Sequence, residues 1–290
     1  MANLASKPTL VMGARGSVGK HVLAELIARG VPVRASARRP EPGQFPDGVD
    51  VYAADLTDPA GLTPAFDGVE QVFLYANHQG VRDVVKAARS ARVRRIVLMS
   101  SGSVIHPTSV GNPITEEHRE VEQAFAAAPG LTVVPLRPLV LATNTLGWAY
   151  PIKTGGTVPL YRPDAITAPI HERDIAAVAV AALTGDDATT GLLTGPTRMS
   201  QRDQVAAIGA AIGKDLTVTA LGSDDALGQF SHFMPAGQAA AVLRFLDDAA
   251  AGNSPATGTV EQILGRPALS FDIWAADHAA QFAGSGLARA

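Results

Sequence analysis

Cysteine is missing altogether from the 290 residues. That excludes disulfides, cysteine-ligated zinc and thiol nucleophiles. Aromatic residues are scarce, at 5%, so any aromatic beside a candidate site is informative. No apolar run reaches the roughly 18 residues of a membrane-spanning helix. The opening "MANLASKPTL" lacks the apolar core of a secretion signal. Strong charge of either sign is also lacking. A formal net charge of −3 gives no reason to expect nucleic acid or an anionic membrane as partner. These absences together lead to the expectation of a cytoplasmic protein with an ordinary globular composition, 47% hydrophobic.

What is present is a repeated beat. "TLVMGA", "VPVRASA", "GVDVYAAD", "VEQVFLYA", "RRIVLMSS" and "LTVVPLRP" are short apolar runs of strand length. Between them lie "SVGKHVLAELIARG", "DPAGLTPAFDG", "QGVRDVVKAARSARV" and "TEEHREVEQAFAAAPG", which carry helical period. In the first of these helices Val18, Val22, Leu23, Leu26 and Ile27 share a face, and Gly30 ends it. The last is expected to open at Thr115. Strands alternating with helices imply an α/β fold, a doubly wound parallel sheet covered on both faces. After Asn144 the beat breaks. An irregular half follows, then a helix from about Glu172, a late strand "GLLTGP", a helix capped by Ser200, a strand "LTVTAL" and an Ala-rich helical remainder. The expected organisation is a dinucleotide-binding domain over residues 1–150, with residues 172–195 returning to it, and a smaller C-terminal lobe over residues 151–290 that lines the substrate site.

The first motif is "MGARGSVGKH". Gly13, Gly16 and Gly19 stand three apart between a predicted strand and a predicted helix. Glycine there permits a tight turn and lets backbone N–H groups approach a pyrophosphate at the helix N-terminus. Arg15, Ser17 and Val18 fill the loop. An NAD site usually carries an acid at the end of the second strand. Here that place reads "ASARRPE". Arg38 and Arg39 instead suit a 2′-phosphate, and the cofactor expected is NADP(H). Asp55, followed by Leu56, stands where a carboxylate accepts from an adenine amino group, or simply caps a turn.

These motifs carry a resemblance. "GARGSVGKHVLAELIARGVPVRASARRP", "ADLTDP", "VFLY", "VLMSS", "HREVE", "LRPLVLATNTLGWA", "RDIAAVAVAAL" and "LTGPTRMSQRDQVAAIGAAIGK" together look like the NmrA-like branch of atypical short-chain dehydrogenase/reductases. The resemblance runs firmly to about residue 220 and loosely beyond. It implies a Rossmann fold and NADP(H). It is less specific for activity, since the branch mixes quinone and dye reductases, aromatic-metabolite reductases and redox sensors without turnover.

One absence bears on the chemistry. The best-known short-chain dehydrogenases carry Tyr-x-x-x-Lys on the helix that follows the fifth strand. The stretch from Ser100 to Phe125 holds neither tyrosine nor lysine. Ile114 and His118 take those positions, with Glu122 one turn on. His118 shares a stripe with Ile114, Val121 and Phe125, so its ring faces inward. It is either a group near the nicotinamide ribose or a core histidine held by Glu122. Ser100 and Ser101 end the fifth strand and Tyr75 ends the fourth, at the edge where ligands sit in open α/β sheets. Catalytic candidates are thus His118, Ser101 and Tyr75, with Ser100, Tyr75 and His118 also beside the cofactor. Candidates for the substrate pocket are His78, Asn144, Trp148 and Tyr150. The loop histidines His78, His106 and His171 lack ligand spacing, and no metal is expected.

Reduction of a simple ketone leaves an alkoxide that needs a poised acid. A quinone or conjugated enone spreads the incoming charge over its own π system. The expected activity is therefore hydride transfer from NADPH to a conjugated or aromatic small molecule. The expectation leaves room for a homodimer. An NADP(H)-sensing regulator, or a nonredox cyclase or isomerase using His118 or His171 as base, are the alternatives.

Overall fold

The computed structural model of the protein describes residues 7–109, 111–185 and 191–283. The first six residues, part of the stretch read for a secretion signal, lie outside these, as do residues 186–190 of the returning segment.

In chain order the elements are β1 (Thr9–Val11), α1 (Gly19–Ala28), β2 (Val33–Ala37), β3 (Asp50–Ala53), α2 (Pro59–Phe66), β4 (Gln71–Tyr75), α3 (Val81–Ser90), β5 (Arg95–Met99), α4 (Pro113–Ala126) and β6 (Thr132–Pro138). Then come α5 (Ala149–Thr154), β7 (Thr157–Tyr161), β8 (Ile166–Thr167), α6 (Glu172–Thr184), β9 (Leu192–Leu193), β10 (Met199–Ser200), α7 (Gln201–Ile212) and β11 (Thr217–Leu221). The helices α8 (Ser223–Ser231), α9 (Ala236–Ala250), α10 (Thr259–Leu264), α11 (Phe271–Asp277) and α12 (Ala279–Phe282) finish the chain.

The central sheet has seven strands in the order β3-β2-β1-β4-β5-β6-β9. Every pairing from β3 to β6 is parallel. Register brings Val11 beside Ala35 and Phe73, and Tyr75 beside Met99. The strand order reverses between β1 and β4, and the crevice above such a reversal is where doubly wound sheets bind ligands.

The chain forms two compact units. The first comprises residues 1–104, 115–137 and 172–192. Its core is the apolar sheet face of Leu10, Val72, Leu74, Ile96 and Leu98 with Leu62, Phe66, Val121 and Phe125 from helices packed on it. The α1 stripe behaves as its spacing requires, with Val22, Leu23 and Leu26 buried, and Gly30 reverses the chain at φ +69°. The second comprises residues 105–114, 138–171 and 193–290. It packs around Trp274, Phe271, Phe282, Ile152, Leu160, Val205 and Ile208. Ser200 caps α7 through a reciprocal box with Asp203.

Two expectations need correction. Thr115 does not open α4. It is fully buried inside the helix, which begins at Pro113, and the Asn112 side chain accepts from the Ile114 N–H at 2.9 Å. Proline at the first helical position lacks an N–H that would be unpaired there anyway, so the start shifts two residues upstream. The stretch after Asn144 is not irregular either. It holds α5 and β7, and β7 pairs in parallel with the distant β11 from Thr157 beside Thr217 to Tyr161 beside Leu221. A five-residue strand containing Pro159, paired 60 residues away, has no local signature that periodicity can detect.

Candidate functional site

The carboxyl ends of β1, β2, β3 and β4 meet at one edge of the sheet in the first unit. A cavity of about 1080 Å³ lies there. Gly13, Arg15, Gly16, Arg38, Arg39, Asp55, Leu56 and Tyr75 line it, all of them anticipated from the sequence. Thr57, Asp58 and Asn77 line it too and were not anticipated. The "LTDP" turn held a signal for the first two, since Thr and Asp there are turn and cap residues beside a strand end.

The glycine loop is built for close approach. Gly13 has φ +65°, and a Cβ at Gly19 would lie 2.4 Å from the Gly13 carbonyl oxygen. No side chain fits at Gly19, so the start of α1 can draw tight under the loop. Three exposed guanidinium groups, Arg15, Arg38 and Arg39, stand around the cavity. Asp55 does cap its turn, accepting from the Thr57 N–H at 2.9 Å and the Thr57 hydroxyl at 2.8 Å. Those bonds, with a smaller contribution from Arg38, hold its carboxyl below the usual carboxylate range. A cavity of this size, a glycine loop with the Tyr75 ring beside it, and permanent cations at the β2 end fit a dinucleotide with its phosphates.

The fifth strand and α4 form a second cluster in the same unit. Ser100 is buried and its Oγ donates to Glu122 Oε1 at 2.6 Å. Arg137 on β6 donates to the same carboxylate through Nε at 3.0 Å and Nη2 at 2.6 Å. Glu122 thus makes its hydrogen bonds to Ser100 and Arg137, and none to His118. The buried His118 Nδ1 has no hydrogen-bond partner among the described residues. Desolvation pushes the His118 pKa down, against smaller upward pulls from Glu122 and Glu117, and His78 adds to the fall. The neutral ring is favoured. His78 Nδ1 lies 3.7 Å from Glu117 Oε2, and both side chains are about a third exposed. Ser101 turns its hydroxyl to Ser103, at 2.9 Å from its Oγ and 3.2 Å from its N–H, and so shapes the short 3-10 turn Gly102–Val104.

Ser17, Val18, Gly19, Ser100, Ser101, His78 and His118 lie outside the lining of the cavity. Asn144, Trp148 and Tyr150 belong to the second unit. Trp148 packs at the edge of that unit's core, Asn144 is exposed, and Tyr150 is 77% exposed. The other two histidines considered for metal each have local partners. His106 contacts the Asn253 carbonyl and the Thr108 hydroxyl, and the buried His171 lies 3.3 Å from Asp277. Among the described residues no three His, Asp or Glu side chains group as a metal site.

Comparison with known proteins bears on the family and its cofactor. A family model described as NAD(P)H-binding matches residues 13–186. A (4-alkanoyl-5-oxo-2,5-dihydrofuran-3-yl)methyl phosphate reductase from Streptomyces griseus is 37% identical over 281 residues, covering 94% of this chain and 99% of that protein. An NAD(P)H azoreductase from Xenophilus azovorans is 30% identical over 290 residues, covering 94% and 98%. Among solved structures, an NADPH-dependent quinone oxidoreductase from Escherichia coli complexed with NADPH superposes with a TM-score of 0.77 at 24% identity, over 93% of this chain and 99% of that one. At that identity the likeness speaks for the fold.

Proposed function

The chain belongs to the NAD(P)H-binding family and is an NAD(P)H-dependent oxidoreductase; from that premise we propose that it is of the NmrA-like branch of atypical short-chain dehydrogenase/reductases and uses NADPH to reduce a conjugated or quinone-like small molecule. The observation that carries this reading is the absence of a poised acid on α4. Ile114 and His118 stand where tyrosine and lysine would, and Glu122 is tied to Arg137 and Ser100.

Bound NAD(P)H supplies a hydride. The chain's own residues hold and orient. The loop from Gly13 to Gly19 receives the diphosphate, and Arg38 and Arg39 take the 2′-phosphate as forked, permanent cations. Asp55 and Leu56 flank the adenine end. His118, kept neutral, offers one N–H to orient an oxygen. The acceptor must therefore delocalise the arriving charge itself and take its proton from water. The compound named for the Streptomyces relative has this character, a ring C=C that bears an acyl group and is conjugated to a ring carbonyl. The substrate pocket in this reading draws on His78. A cytoplasmic enzyme, free to form a homodimer, completes the proposal.

The test is the loss of nicotinamide absorbance with a panel of quinones, acylated butenolides and simple ketones, each with NADPH. Turnover of the first two and inert simple ketones is the expected outcome. A preference for simple ketones would refute it, and tight NADPH binding with no turnover across the panel would favour the sensor instead.

A further inference from the structure

Strand β4 ends in a tyrosine whose ring lies across the glycine loop. The Gly19 N–H donates to Tyr75 Oη at 2.9 Å. A Cβ added at Gly16 would lie 2.6 Å from that oxygen, and one added at Gly13 would lie 2.9 Å from the ring's Cε2. The glycines therefore make room for this ring. Phe73 meets it edge-on, with centroids 5.5 Å apart. Gly19 is the first residue of α1, so its N–H is one of the donors a helix start leaves unpaired. The phenol oxygen accepts that donor. Its own O–H has no acceptor among the described residues, and Tyr75 lines the cavity.

We infer that Tyr75 passes the helix donor outward by one bond, with the Gly19 N–H donating to the phenol oxygen and the phenol O–H donating to the diphosphate of the bound dinucleotide. The inference rests on the dinucleotide reading of the cavity and deepens it. No proton is transferred and no bond breaks. A hydroxyl that already accepts a bond is polarised to donate a stronger one, and a phosphate oxygen is the charged acceptor that a helix N-terminus favours. Burial raises the phenol pKa, and the N–H bonds from Gly19 and Val18 only oppose this. The group thus stays a neutral O–H donor at neutral pH, which suits a binding role and not a proton-donating one. Tyr75 is on this argument a positioning residue for the cofactor and not an acid for the substrate.

The experiment compares wild type with Tyr75→Phe by calorimetric titration of three ligands. NADPH and ADP-ribose carry a diphosphate; 2′,5′-ADP does not. The variant is expected to lose roughly ten- to a hundredfold in affinity for the first two, the scale of a hydrogen bond to a charged group, and nothing for the third. Unchanged or tighter NADPH binding would mean that the phenol competes with the diphosphate and would overturn the inference. Equal losses for all three ligands would also overturn it, since only a damaged loop does that. Should the variant fold poorly, the wild-type tyrosine absorption serves. A red shift on adding ADP-ribose and none on adding 2′,5′-ADP is expected; no shift with either refutes the bond. Wild type that binds none of the three would instead bring down the dinucleotide reading itself.

Discussion

Replacing Arg137 by methionine removes the cation from a carboxylate that cannot reach water easily. The two side chains are 18% and 13% exposed. Glu122 has three donors, of which Arg137 supplies two and Ser100 the third. With only Ser100 left, the carboxylate is a nearly buried, uncompensated charge. Breaking a buried pair from one side costs about 3–5 kcal/mol. The partial exposure and the surviving Ser100 bond place Arg137→Met near the lower end, about 3 kcal/mol. Glu122→Gln in the same background should recover most of that, because the amide oxygen still accepts from Ser100 and no charge remains. The coupling in the double-mutant cycle is then expected at about 2–3 kcal/mol. Urea unfolding of the four proteins, with midpoint and slope reported separately, measures it. A second readout follows from the geometry. In Arg137→Met the unneutralised Glu122 pulls harder on His118, so the ring should titrate higher by NMR than in wild type. An Arg137→Met cost below about 1 kcal/mol, the range of exposed pairs, would refute the reasoning, as would strictly additive single and double variants.

Three further outcomes are expected. Arg38→Ala should weaken NADPH by roughly ten- to a hundredfold while leaving NADH nearly unchanged, because a charge-assisted pair is worth about 1.5–3 kcal/mol; equal wild-type affinity for the two cofactors would refute the 2′-phosphate assignment. His118→Ala should slow turnover on the order of tenfold, the scale of one hydrogen bond, and a loss above roughly 10³ with a titration that vanishes in the variant would make the ring a true general acid. The same histidine also sets a pH dependence of stability. Its folded pKa is depressed by desolvation, so the unfolded chain binds the proton more readily. Its contribution to stability is full above the unfolded pKa of about 6.5 and is lost as pH falls through the folded value. Urea midpoints of wild type should drop between pH 7 and pH 5 by more than those of His118→Ala.

The fold class was legible because its determinants are local. Apolar runs of strand length alternate with 3.6-period helices, and Gly13, Gly16 and Gly19 sit between the first strand and the first helix, where backbone geometry leaves few alternatives to glycine. Arg38, Arg39 and Asp55 could be assigned to the cavity for the same reason. In a parallel sheet every strand ends at the same edge, so the residue after a strand is at the ligand side whatever the details of packing. The start of α4 was misread because Thr115 resembles a cap and the true one, Asn112 before Pro113, lies in a loop of turn-forming residues without periodicity. β7 was invisible because its partner is β11, and pairing across 60 residues leaves no trace in either segment alone.

The partnering of charged groups belongs to the tertiary structure. Sequence spacing puts His118 and Glu122 on one helix face, four residues apart, and suggests that they meet. What decides otherwise is Arg137, arriving from β6 with two donors and a permanent charge, which a neutral imidazole cannot match. The same holds for Tyr75. Its position at a strand end follows from the sequence, but that its hydroxyl rests on the Gly19 N–H depends on β4 lying beside β1 in the sheet. Backbone conformation is chosen mainly by neighbours along the chain; a side chain's partner is chosen by whatever competing donor or acceptor folding brings nearest.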